Sequence, residues 1–137
     1  MKHFKIIAHT ADIRLFVEGA TLEELFNAAL EGMAFIITAK PCFPPPYDQH
    51  HELTITSSDT TALLIDFLSE VLTQTHLNKT LYCSADFINI TSISLHACIH
   101  GKKTNLFQED IKAVTYHEAD VKKNEKGNYQ TTIVFDI

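Results

Sequence analysis

Asp12-Ile13-Arg14-Leu15-Phe16-Val17-Glu18-Gly19-Ala20-Thr21-Leu22-Glu23-Glu24 changes its period partway along, and that change decides the fold class. Across residues 12–18, Ile13, Leu15 and Val17 alternate with Asp12, Arg14, Phe16 and Glu18, the two-residue period of a strand with one face on a core. Asp12 is thereby directed away from the aliphatic face. Thr21-Leu22-Glu23-Glu24 then has the form of a capping box, in which a hydroxyl and a carboxylate satisfy amides left free at a helix start. Beyond it Leu22, Leu25, Phe26, Ala29 and Met33 recur at intervals of three and four, as on one helix face. Pro41 and then Pro44, Pro45 and Pro46 cannot continue a helix, which sets its end near Ala39.

The flanking chain extends this pattern. Residues 4–8 read as a strand before the quoted stretch, and residues 52–57 alternate as another after it. Ser58 or Asp59 can cap a second helix reaching about His76, with Leu64, Phe67, Leu68, Val71 and Leu72 on its core face. Residues 85–90, 92–100, 111–121 and 129–137 read as strands, the last two joined through the turn chemistry of Asn124-Glu125-Lys126-Gly127-Asn128. The order ββαβαββββ predicts one α+β domain over residues 1–137: two layers, a mixed β-sheet with two helices packed on one face.

Composition bounds the function. Of 137 residues, 45% are apolar and 20% charged, the balance of a packed globular chain. A formal net charge of −6 argues against an independent grip on RNA or DNA, since phosphate affinity depends on Lys and Arg displacing counterions. A basic partner or a cation is the better match. No apolar run has the length of a signal peptide or a membrane span, so a soluble cytoplasmic protein is expected. Cys42, Cys83 and Cys98 form no CxxC pair and are odd in number; reduced thiols with no disulfide partner are expected.

No Gly-rich phosphate loop, nucleophile elbow or HExxH motif occurs. His96 and His100 lie four apart on an alternating segment. On a strand they share a face about 13 Å apart, too far to hold one zinc, and solvated or partner-facing roles are expected. Asp66 and Glu70 belong to the solvated side of the second helix, and Asp110, Glu118 and Asp120 read as loop charges. Asp12 and Asp136 differ in lying at strand ends, with the terminal carboxylate of Ile137 beside Asp136. If the first and last strands are neighbours, these three bring oxygen donors together. Anions so close repel unless a cation neutralises them, and oxygen ligands suit Ca²⁺, Mg²⁺ or Mn²⁺ better than zinc. The plainer alternative is a solvated aspartate at a chain end.

His9-Thr10-Ala11-Asp12-Ile13 with the Thr21-to-Ala29 helix start resembles the amino-terminal signature of the archease family. Leu63-Leu64-Ile65-Asp66-Phe67-Leu68-Ser69-Glu70-Val71-Leu72 is similar to that family's second helix. Ile111-Lys112-Ala113-Val114-Thr115-Tyr116-His117 and the ending Val134-Phe135-Asp136-Ile137 resemble its carboxyl-terminal strands. The resemblance implies a non-catalytic, metal-binding accessory protein of an RtcB-class RNA ligase, which joins RNA ends in tRNA splicing and repair using GTP and Mn²⁺. It implies assistance to guanylylation and to repeated turnover. It also implies a divalent cation, calcium above all, held by Asp12, Asp136 and Ile137; on the residues alone, His9 and His117 are either further donors on the same edge or hydrogen-bonded structural histidines. Two positions depart from the family pattern: Arg14 stands where a small or neutral residue is common, and Gly101-Lys102 where Gly-Glu is common. Arg14 shares a strand face with Asp12 and can pair with its carboxylate. The competing readings are a small metal-dependent hydrolase built on Asp12, Asp136 and a histidine base, and a chaperone-like or RNA-binding module.

Overall fold

A computed structural model describes residues 1–8 and 12–137. Its elements run β1 (His3–Ala8), β2 (Asp12–Gly19), α1 (Leu22–Thr38), β3 (Gln49–Thr56), α2 (Thr60–Asn78), β4 (Thr80–Ile90), β5 (Ser94–Lys103), β6 (Ala113–Thr115), β7 (Lys122–Lys123) and β8 (Tyr129–Asp136). The α+β class and the order of the elements follow the sequence expectation, with one short strand more. The expected mixed sheet divides in two: one sheet runs β1-β2-β8-β6 with β7 also on β8, and a second runs β3-β5-β4. Each ladder is antiparallel.

Both helices begin as their caps dictate. The Thr21 hydroxyl accepts from the Glu24 amide at 3.1 Å, and the Glu24 carboxylate reaches back to the Ala20 amide at 3.0 Å, one residue earlier than in an ideal box. The Asp59 carboxylate accepts from the Ala62 amide at 2.8 Å to open α2. Ala39 and Lys79 end the helices in the left-handed region, each returning its amide to the preceding turn. α1 packs on β1, β2 and β8 of the first sheet and on β4 of the second, while α2 packs on β3, β4, β5 and β6. The helices are thus shared by two sheets rather than laid on one.

Phe26 of α1, Phe67 of α2 and Phe87 of β4 meet at the centre, their ring centroids 5.5, 6.0 and 5.7 Å apart. Removing such a ring from water contributes about 2 to 3 kcal/mol. A polar device beside them ties α1 to β4. The Asn27 side chain donates to the Ala85 carbonyl at 3.0 Å and accepts from the Ala85 amide at 2.9 Å, taking the place of a neighbouring strand along the open edge of β4.

Two further expectations are corrected. Residues 111–121 are not one strand: pairing stops after Thr115, a turn follows with Glu118 at φ 65°, and β7 resumes the ladder on β8. Cys42 and Cys83 are not reduced thiols but a disulfide, their Cα atoms 5.6 Å apart. The proline segment after α1 folds back against β4 and supplies a proximity that cysteine spacing does not reveal. Cys98 stays free.

Gly101 of β5 faces the Leu81 backbone so closely that a Cβ there would stand 2.0 Å from the Leu81 carbonyl oxygen. Backbone on both sides leaves the overlap no easy relief. Gly101→Ala should therefore destabilise by roughly 1 to 3 kcal/mol, read as a lower urea midpoint at unchanged slope. The disulfide spans 41 residues, and constraint of the unfolded chain over such a loop is worth about 2 to 4 kcal/mol. Cys42→Ser, or reduction of the native protein, should lower the unfolding free energy by that order, and Cys98→Ser should not.

Candidate metal centre

β2 and β8 pair with Asp12 directly opposite Asp136 and Gly19 opposite Tyr129. Leu15, Val17, Ile133 and Phe135 fill the core face, so the two aspartates fall together on the other face at one end of the sheet. β6 closes the far side of β8, placing Ala113 beside Asp136, whose carbonyl accepts from the Lys112 amide at 2.7 Å. Asp136 is exposed; Ile137 is half-buried, its side chain against the core.

Arg14 stands on the same face two residues from Asp12. Its Nη1 donates to Asp12 Oδ1 at 2.8 Å, while Nε and Nη2 donate to Glu118 Oε2 at 2.9 and 2.5 Å. The Glu118 hydrogen bonds, with the charge of Asp12 behind them, hold the guanidinium pKa above its ordinary value. Glu118 is therefore more than a loop charge: the turn after β6 delivers it to the guanidinium. The sequence expectation that Arg14 pairs with Asp12 matches this geometry.

Two carboxylates opposed across a ladder are a donor set for an oxygen-preferring cation. Here one of them is already balanced by a guanidinium. Among the described residues no three His, Cys, Asp or Glu side chains surround a common metal position. His117 is exposed and lies 3.6 Å from Glu118. His9 lies outside the described residues. Lys102 sits over the Phe43 ring of the proline segment at 5.9 Å.

Other charged groups assigned to solvent have partners. Asp66 accepts from the Ser57 hydroxyl at 2.6 Å and from the Tyr116 hydroxyl, and that carboxylate pushes the Tyr116 phenol pKa up. With Asp59 and Asp120, Asp66 and Tyr116 line an open cleft of about 540 Å³ at the start of α2. His96 meets Glu52 at 2.6 Å, whereas His100 meets Asp86 at 2.8 Å and His50 at 2.7 Å. The alternation of His96, Cys98 and His100 on one face is legible in the sequence. Their partners on β3 and β4 depend on strand register and are not.

A model of the archease protein family matches residues 4–137. Protein archease of Methanosarcina mazei is 31% identical over 145 residues, covering 99% of this chain and 97% of that protein. Protein archease of Methanosarcina barkeri is 33% identical with the same coverage. The solution structure of Methanobacterium thermoautotrophicum protein 1598 superposes with a TM-score of 0.72 at 24% identity, covering 98% of each chain. A crystal structure from Thermotoga maritima, described as an archease and possible chaperone, gives a TM-score of 0.65 at 20% identity, covering 97% of this chain and 96% of that one. Sequence relatives, family match and fold agree over nearly the full length, and the chain belongs to the archease family.

Proposed function

We propose that this chain is a non-catalytic, cytoplasmic accessory protein that activates an RtcB-class RNA ligase, promoting its GTP-dependent guanylylation and multiple turnover in tRNA splicing and RNA repair. Family membership across residues 4–137 carries this reading. Among the described residues no helix is long and apolar enough to cross a membrane. The formal charge of −6 favours a basic protein surface over bare RNA, so RNA is reached only through the ligase.

In the same reading Asp12, Asp136 and an oxygen of Ile137 hold a divalent cation, Ca²⁺ in the first place and Mg²⁺ or Mn²⁺ as alternatives. Its chemistry there is to neutralise opposed carboxylates and present a positive centre at the sheet end. The register that sets Asp12 opposite Asp136 supports this. Arg14 modulates it: Asp12 gives one oxygen to the guanidinium, and Glu118 holds that guanidinium in place. Release of Arg14 toward Glu118 frees the Asp12 carboxylate and leaves Glu118 as the counter-ion. A binding partner that takes up Glu118 shifts this balance the other way.

Substoichiometric addition of this protein to its cognate ligase, with GTP and Mn²⁺, should raise multiple-turnover ligation. Unchanged ligation across a range of salt and Mn²⁺ would remove the ligase-helper assignment. A parallel aggregation assay on an unrelated protein separates activation from general chaperoning, because a chaperone would protect that protein equally well.

Asp12→Ala or Asp136→Ala should abolish activation while thermal melts without added cation stay near those of the unsubstituted protein, both side chains lying off the core face. Full activation by either variant would take that residue out of the site. Arg14→Gln should tighten Ca²⁺ binding by about fivefold in calorimetric titration, the order expected of a single solvated ion pair. Weaker binding would mean that the guanidinium supports the site rather than competing for it.

A further inference from the structure

The outer face of the β3-β5-β4 sheet gathers nitrogen and sulfur donors that the proposed oxygen site does not use. His50 lies opposite His100 across the β3–β5 ladder, and Glu52 lies opposite Cys98. On the other side β4 sets Asp86 opposite Cys98. His50 Nδ1 and His100 Nδ1 are 2.7 Å apart, Cys98 Sγ is 4.0 Å from the same His100 Nδ1, and His100 Nε2 is 2.8 Å from Asp86 Oδ2. Cys98 is the cysteine outside the disulfide, and it is half-exposed.

The hydrogen bonds fix the tautomers. Asp86 is an acceptor, so His100 carries its proton on Nε2, and its Nδ1 lone pair is turned toward the proton on His50 Nδ1. A carboxylate that holds the far nitrogen of a histidine is the usual support of a metal-binding imidazole, since it sets the ring orientation and raises its basicity. We propose that His50 Nδ1, His100 Nδ1 and the sulfur of Cys98 form a binding site for a borderline divalent transition metal of the Zn²⁺ class, with Asp86 as the orienting carboxylate and the fourth position open to solvent.

Donor spacing supports the assignment. Zn–N bonds of about 2.0 to 2.1 Å and a Zn–S bond of about 2.3 Å at tetrahedral angles put two nitrogens about 3.3 Å apart and nitrogen and sulfur about 3.6 Å apart. The present separations of 2.7 and 4.0 Å lie within about 0.6 Å of these. Among the described residues the three donors do not yet surround a metal position, and the two ring nitrogens are hydrogen-bonded to each other. Metal entry would part the ring nitrogens by about 0.6 Å, exchange the His50 proton through solvent from Nδ1 to Nε2, and release the thiol proton to water. His96 takes no part; it is engaged with Glu52, as its four-residue offset from His100 requires.

The same groups also stand in the order thiol, imidazole, carboxylate of a nucleophilic triad. Burial, with the charges of Glu52 and Asp86, pushes the Cys98 thiol pKa up, the opposite of what an activated nucleophile needs. A metal must compete with that proton, so binding strengthens as pH rises.

Co²⁺ is the probe. The full chain, with the Cys42–Cys83 disulfide formed and oxygen excluded, is titrated with Co²⁺ and watched for thiolate-to-cobalt charge transfer in the near ultraviolet and for the intense visible bands of a tetrahedral ion. One equivalent should develop both. Cys98→Ser should lose the charge-transfer band, His50→Gln and His100→Gln should each weaken binding by at least about tenfold, and Asp86→Asn should weaken it by about tenfold with the band retained. Asp12→Asn with Asp136→Asn should leave the titration unchanged, which separates this site from the proposed oxygen site. Thermal melts identify any variant that fails to fold, and Zn²⁺ displacement of Co²⁺ on the unsubstituted protein reads the site without substitution. Absence of the charge-transfer band in the folded protein, its survival in Cys98→Ser, or indifference to both histidine substitutions would overturn the proposal.

Discussion

Pairing of β2 with β8 is the constraint on which the rest of the molecule depends. The ladder joins residues from the two ends of the sequence, and its register carries Asp12 to Asp136 and Leu15 to Ile133 at once. A slip of one residue would turn either Leu15 and Val17 or Ile133 and Phe135 to water, with the acid of that strand toward the core, which the burial of those four side chains forbids. The meeting of two carboxylates is therefore a by-product of hydrophobic burial: no local interaction between the aspartates is needed to bring them together. The cost of placing like charges opposite each other is met by Arg14, two residues along the same face, and Arg14 is in turn anchored by Glu118.

What the sequence discloses and what it hides divide along a physical line. Signals contained in a few consecutive residues are legible: the Thr21-to-Glu24 capping box, the Asp59 cap, the alternation of β2 and the turn at Asn124–Asn128, where Gly127 takes φ 80°. Features that depend on two distant segments coming together are not. The Cys42–Cys83 bond needs the proline segment to fold back on β4, and division into two sheets needs α1 and α2 to pack on both. Glu118 reads as a surface acid because only the turn after β6 shows that it reaches Arg14. Residues 111–121 carry a strand's alternation that tertiary structure interrupts. Of the candidate metal centre, Asp12 and Asp136 are legible by their position at strand ends, whereas their opposition across the ladder is a matter of register.

The two sheets present different chemistry on their outward faces. At the end of the first, carboxylates and a guanidinium form an oxygen-rich, charge-compensated group; across the second, imidazoles, a thiol and carboxylates form a mixed nitrogen, sulfur and oxygen group. Such sets select ions differently, the first favouring hard cations and the second borderline ones. Neither group is needed to assemble the core, which is an apolar cluster drawn from both sheets and both helices. Chemistry on the outer faces can therefore change at small cost to the fold.

Arg14 also bears on when the proposed oxygen site can act. A guanidinium already in place stabilises the opposed aspartates without any ion, so the protein has no electrostatic need for a cation in order to fold. An ion that enters must then gain more from Asp12 than Arg14 loses, and Arg14 keeps most of its hydrogen bonding through the two contacts to Glu118. The exchange is close to balanced because the leaving cation remains paired. A balanced exchange is easily tipped by a third charge brought near the sheet end, whereas a deep, preformed cation cage would respond little to one. In the proposed reading, the Arg14–Asp12 ion pair competes with a cation in isolation and so would make metal binding conditional on a charge brought by the partner.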